Sequence, residues 1–181
     1  MGVAVWGGVG VSEPVGFREF VAARSPALLR TAWLLTGDEH LAEDLVQTAL
    51  SRTWPRWGRL HPGGDPEAYV RRVMVNTSLS WRARRWSGEW ATANLPEQVV
   101  LDPHDRVLDR VHLAEVLRGL PARQRAVLVL RFFDDCSEQQ TANLLGCSVG
   151  TVKSQTSRGL ARLRAAAGAS PDWPATMGTQ S

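Results

Sequence analysis

The chain has 181 residues, 44% of them hydrophobic, with a formal net charge of +3, which is room for one domain or two small ones of a soluble globular protein. No run is long or apolar enough to cross a bilayer, and the start, MGVAVWGGVGVSEPVG, lacks the basic and apolar segments of a signal peptide, so a flexible tail on a cytoplasmic protein is expected. A reducing compartment keeps Cys136 and Cys147 as free thiols, and the four histidines (His40, His61, His104, His112) are too scattered for a metal motif, so no metal, cofactor or catalytic group is expected.

Nothing in the sequence alternates like a strand between hairpin turns, and the reading is all-α. A first helix is expected over Phe17 to Arg24. A second starts at Ser25-Pro26, a cap followed by proline at the first helical position, and ends at Gly37. The third, Asp38 to Trp54, carries Leu41, Leu45, Val46, Ala49, Leu50 and Trp54 on an apolar stripe. Its polar side gathers Glu43, Asp44, Gln47 and Ser51, which from these residues alone reads as a solvated face.

After the turn HPGGDP, Asp65 caps and Pro66 opens a fourth helix that runs to about Trp86. Val70, Val73, Met74, Thr77 and Trp81 share one face of it, and Arg72, Asn76, Ser80 and Ala83 share another. From Tyr69 to Gly88 there are five arginines and no acid. Arginine interleaved with tryptophan suits a single-stranded nucleic acid, whose phosphates take the charge while bases stack on rings. The same residues also suit packed tryptophans beneath arginines whose heads reach water. Periodicity then lapses around Pro96 and Pro103, which reads as a linker over 89–105.

A helical pattern resumes near Arg106 with Leu113, Leu117 and Leu120, and Pro121 starts another over PARQRAVLVLRFF, for a core of Leu117, Val127, Leu128, Leu130 and Phe132. Next comes SEQQTANLLGCSVGTVKSQTSRGLARLRA, Ser137 to Ala165. Ser137 with Gln140 forms a capping box, Gly146 supplies a turn, Ser148 caps a second helix, and Val152 plugs it against the first. That is the pattern of a helix-turn-helix. Val149, Val152, Thr156, Leu160 and Leu163 fall on its core side; Thr151, Ser154, Gln155, Arg158 and Arg162 fall opposite, with Lys153 on a flank. No acid occurs from Gln139 to Pro171, so a polyanion meets donors without repulsion. Residues 168–181 read as a disordered tail. Gly146 to Gly150 also satisfies G-x-S-x-G, but a nucleophile elbow needs a strand before its serine and a histidine after it, and neither is present.

Taken together, a flexible tail (1–15), a helical domain (16–88), a linker (89–105), a helix-turn-helix domain (106–167) and a second tail (168–181) resemble the extracytoplasmic-function class of bacterial sigma factors, in an actinobacterial, tryptophan- and arginine-rich version. The segment Ala42 to Thr48 is similar to the family's AEDLVQ signature, on the helix that docks on the clamp of core RNA polymerase. The resemblance thus implies polymerase contacts at Glu43, Asp44, Gln47 and Ser51. PEAYVRRVMVNTSLSWRARRW resembles the helix that melts and reads the −10 element, implying Arg72, Asn76, Ser80, Trp81, Arg82, Arg84 and Arg85 at opened DNA; Ser80 stands where the family often has an aspartate. Ala122 to Arg164 resembles the domain that reads the −35 element, implying DNA contacts at Thr151, Lys153, Ser154, Gln155, Arg158 and Arg162. The implied partners are core RNA polymerase, through its β′ clamp and β flap, promoter DNA and an anti-sigma factor, with no membrane insertion. The rival reading is a helix-turn-helix regulator whose first domain dimerises or binds another partner; it leaves the acid-free Arg/Trp helix unexplained.

Overall fold

A computed structural model describes residues 13–61, 63–86 and 113–167, apart from the side chains of 84–86 and 167. The linker assigned to 89–105, the tail from 168 and most of the 1–15 tail lie outside the described residues. Every regular element described is helical: α1 (Phe17–Thr36), α2 (Glu39–Thr53), a 3₁₀ turn (Trp54–Arg56), α3 (Trp57–Leu60), α4 (Pro66–Trp86), α5 (residues 113–118), α6 (Ala122–Phe132), α7 (Glu138–Leu145) and α8 (Val149–Ala167). There is no strand among the described residues, so the chain is all-α as expected.

Local chemistry sets the starts and stops. Asp38 Oδ1 accepts from the Leu41 amide at 2.8 Å to cap α2, and Asp65 Oδ1 accepts from the Ala68 amide at 2.9 Å to cap α4. Gly37 ends α1 in the left-handed region, its amide donating to Trp33 O at 2.7 Å. The expected break at Ser25-Pro26 does not occur. α1 is one helix of 20 residues with Pro26 inside it, and Ser25 is no cap: its hydroxyl donates back to Val21 O at 2.6 Å. Pro26 has no amide to offer the Ala22 carbonyl. The helix continues because its two halves share one core, burying Phe17 before the proline and Leu28, Thr31, Ala32, Leu34 and Leu35 after it.

In the first half of the chain, α1, α2 and α4 pack around Leu45, Ala49, Val70, Met74 and Val75. Trp57 is buried beneath the start of α1, edge-on to Phe17 with ring centroids 5.0 Å apart and stacked on His61 at 5.1 Å. Its indole N–H donates to Val15 O at 2.8 Å, tying down the chain that enters α1. In the second half α6 is buried continuously from Gln124 to Leu130, with α7 and α8 wrapped on it. α8 lies so close that a Cβ on Gly159 would stand 2.9 Å from Leu128 Cδ1.

The two halves also pack on one another, α1 against α6 and α4 against α6 and α7. Two buried polar contacts fix that arrangement. The Arg125 guanidinium, 1% exposed, donates to Leu117 O and Arg118 O at the end of α5, at 2.8 and 2.5 Å, and to Leu35 O at the end of α1, at 2.8 Å. Burial, with Arg82 and Arg118 nearby, pulls its pKa down to about 9, so it is still charged at neutral pH. Across the same seam the Thr31 hydroxyl donates to Asp134 Oδ1 at 2.6 Å.

Replacing Arg125 by methionine leaves Leu35 O without its donor, while Leu117 O keeps the Leu120 amide at 3.0 Å and Arg118 O keeps Arg82 at 3.2 Å. Urea unfolding of Arg125→Met is expected to show a loss of about 2–4 kcal/mol.

Candidate nucleic-acid interfaces

Three surfaces carry the residues singled out in the sequence. On α2, Glu43, Asp44, Gln47 and Ser51 are all exposed. Asp44, Gln47 and Ser51 line a shallow groove of about 400 Å³ with Thr48, Arg52 and Trp81. Trp81 reaches this groove from α4 and is half-buried there, so the structure joins it to the α2 patch. Arg52 donates to Thr77 Oγ1 at 3.0 Å, stitching the groove's two walls together.

The second surface is on α4, where Arg72, Asn76 and Ser80 are exposed side by side at spacings of four residues. The arginines of this helix divide by role. Arg71 bridges Glu67 at 2.7 Å and stands 3.4 Å from Asp134 Oδ2, without hydrogen-bond alignment to it. Glu67 also meets Arg24 at 3.1 Å. Arg71 is therefore committed to the fold while Arg72 points to solvent. Arg82 is half-buried and donates to Arg118 O at 3.2 Å, an attachment to the second half of the chain that its sequence position did not announce. The Arg84 and Arg85 side chains lie outside the described residues.

The third surface is the helix-turn-helix. Ser137 accepts from the Gln140 amide at 3.1 Å while Gln140 Oε1 accepts from the Ser137 amide at 2.7 Å, so the capping box is complete. Gly146 turns the chain at φ 62°. Ser148 accepts from the Thr151 amide at 3.1 Å and so caps α8. A helix-capping hydroxyl after a helical segment has none of the strand-turn-helix context of a hydrolase nucleophile. Val152 is fully buried against Val127 and Ala142. Lys153, Ser154, Arg158 and Arg162 are exposed, whereas Thr151 and Gln155 are half-buried. Lys153 is ion-paired with Glu138 at 3.6 Å, the acid just ahead of the acid-free stretch.

Among the described residues no group of His, Cys, Asp and Glu could hold a metal ion, and no helix is long and apolar enough to cross a membrane. Cys136 and Cys147 are free, and burial raises the Cys136 thiol above its usual range. Sequence reasoning missed Thr31, Arg125 and Asp134. The available signal was weak: Arg125 is one of three arginines, with Arg123 and Arg131, around the apolar run that the Asp134-Asp135 pair closes. Their partners lie 90 and 103 residues away, at Leu35 and Thr31.

Asp134 also yields a pH dependence. Burial raises its carboxyl above the ordinary range, against the Thr31 hydrogen bond and the charges of Arg71 and Arg30, with Glu67 adding to the rise. The folded state thus binds this proton more tightly than the unfolded chain, and stability from this group is lost as pH rises from about 4 through the raised value. Asp134→Asn keeps an acceptor for Thr31. Its stability relative to the unsubstituted chain is expected to improve as pH rises from about 4 through the raised value, and then to level off, in denaturation curves.

Comparison with known proteins places this geometry in context. Residues 20–88 match the family model described as Sigma-70 region 2, and residues 110–163 match the model described as Sigma-70, region 4. The chain is 44% identical over 154 residues to the RNA polymerase sigma-E factor of Streptomyces coelicolor, covering 85% of this chain and 87% of that protein. It is 31% identical over 162 residues to the ECF RNA polymerase sigma factor SigL of Mycobacterium tuberculosis, covering 87% and 92%. Among solved structures it is similar to the sigma factor RpoE of Bartonella quintana in complex with the anti-sigma factor NepR, with a TM-score of 0.68 at 28% identity over 82% of this chain and 94% of that one.

Proposed function

The chain belongs to the extracytoplasmic-function class of the sigma-70 family of RNA polymerase sigma factors, and from that premise we propose how its surfaces divide the work of promoter-specific initiation. The α2 groove with Asp44, Gln47 and Ser51, and Glu43 beside it, takes the β′ clamp of core polymerase, offering acid and amide to a basic partner. The Arg72, Asn76 and Ser80 face of α4, with Trp81, Arg82, Arg84 and Arg85, holds the opened −10 strand. There a base leaves the stack at a cost of a few kcal/mol, offset by stacking and charge. The exposed edge of α8 reads the −35 duplex, with Arg158 placed for a bidentate contact to guanine, Ser154, Gln155 and Thr151 beside it, and Lys153 and Arg162 at phosphates. The helix-turn-helix domain also meets the β flap.

The observation that carries this reading is the pairing of two acid-free helical faces, one on each matched region. The protein itself catalyses nothing; it works in the cytoplasm beside the polymerase, and an anti-sigma factor sequesters it. Two contacts, each modest alone, gain from being on one chain because binding at one raises the effective concentration of the other. A regulator that only dimerises through its first domain is not favoured, because that domain matches the sigma region rather than an unrelated helical module.

Purified protein added to core polymerase should give promoter-dependent run-off transcripts from a genomic template library; transcription no different from core polymerase alone would sink the reading. Arg158→Ala should lose about 1–3 kcal/mol of discrimination at one −35 position, read by competition between matched and mismatched promoters. Glu138→Gln should free Lys153 and steepen the salt dependence of duplex binding by about one unit of slope, with little change in sequence preference.

A further inference from the structure

We infer that Ser154 reads its base as a hydrogen-bond acceptor, so that α8 selects adenine or cytosine, through the exocyclic amine, on the strand this residue contacts. This rests on the assignment of the exposed edge of α8 to the −35 duplex.

Four of the residues assigned to that duplex are exposed: Lys153, Ser154, Arg158 and Arg162. Lysine and arginine carry donors and no acceptor. In the major groove guanine, adenine and thymine all present acceptors, whereas an amine occurs on adenine and cytosine alone. Three donor-only side chains therefore suit guanine and cannot detect an amine. Ser154 is the one of the four that can.

A serine hydroxyl has one proton and two lone pairs, so by itself it reads a donor and an acceptor alike. Here the helix removes that ambiguity. Ser154 Oγ donates to Thr151 O at 3.0 Å, about one turn back along α8. A carbonyl has no proton to return, so the direction of this bond is fixed and the lone pairs are left for the groove. Turning the hydroxyl outward to a guanine or thymine oxygen exchanges one hydrogen bond for another and gains nothing. Accepting from an amine keeps the Thr151 bond and adds a second. The neighbouring hydroxyls have no such fixed sense: Ser148 Oγ and Thr151 Oγ1 lie 3.0 Å apart and either can donate to the other. Thr151 is also half-buried. Arg158 stands four residues beyond Ser154 on the same edge, about 6 Å along the helix axis against a base step of about 3.4 Å, so the two meet different base pairs. One asks its pair for acceptors and the other asks for a donor.

The test uses the full chain bound to core polymerase and a promoter duplex library randomised across the −35 element. Alanine suits the exposed helical position, and comparing the pools bound by Ser154→Ala and by the unsubstituted chain should reveal one base pair at which preference relaxes. The amine of that pair is then deleted, with purine in place of adenine or 2-pyrimidinone in place of cytosine. Deletion should weaken binding by the unsubstituted chain about fivefold more than binding by Ser154→Ala, the size of one neutral hydrogen bond. The weaker base pairing in the analogue duplex is common to both proteins and drops out of the comparison. Equal losses in the two proteins would overturn the acceptor role. So would unchanged selection by Ser154→Ala at every −35 position while Arg158→Ala relaxes one of them. If Arg158→Ala and Arg162→Ala are silent as well, it is the assignment of α8 to the −35 duplex that fails.

Discussion

The arrangement of this molecule depends on what happens at the ends of helices. The last carbonyls of a helix have no amide within it to meet them, and two helices, α1 and α5, end at the same place in the interior. One guanidinium, from Arg125 on α6, satisfies both. Lysine could not span the set, since its point charge lacks the planar fork. Because Leu35 belongs to the first half of the chain and Arg125 to the second, a requirement of backbone hydrogen bonding becomes one of the connections between the two units.

Arginine is used in two ways throughout. Arg71 and Arg125 are drawn into the structure by carboxylates and carbonyls, and acids or helix ends sit within reach of each. Arg72, Arg158 and Arg162 stand in solvent, and among the described residues no ion pair joins any of them to an acid. The net charge of the chain is small, so its attraction for a polyanion does not come from overall charge. On the proposed reading it comes from where acids are absent, along α4 beyond Glu67 and along α8 beyond Glu138. In both helices the nearest acid lies just ahead of the acid-free run and pairs with a basic residue inside it, Arg71 in one case and Lys153 in the other.

Much of this was legible in the sequence wherever the determinant was local. Caps at Asp38, Asp65, Ser137 and Ser148, the turn at Gly146 and the plug at Val152 depend on neighbours within a few residues, and periodicity gave the faces of α2, α4 and α8. The site residues on α2 and α8 could be placed on a surface for the same reason. Pro26 was misread because its signature, serine then proline, is also that of a helix start; only the core shared by both halves of α1 decides between them. The half-burial of Thr151, Gln155 and Arg82, and the partners of Arg125 and Asp134, were invisible because they arise from the packing of segments far apart along the chain. No composition or spacing rule encodes which arginine of LPARQRAVLVLRFF turns inward.

The close contact between α6 and α8 at Gly159 has a consequence on an evolutionary scale. α8 is held along one edge by Val152, Gly159 and Leu163, all buried, and a methyl group at position 159 would displace the Leu128 side chain. Its opposite edge, at Ser154, Arg158 and Arg162, is exposed, and exposed substitutions away from caps change stability little. The angle at which the helix is presented and the side chains it presents are therefore inherited separately. On the reading proposed for α8, the outer edge can be rewritten residue by residue toward new target sequences while the inner edge stays constant.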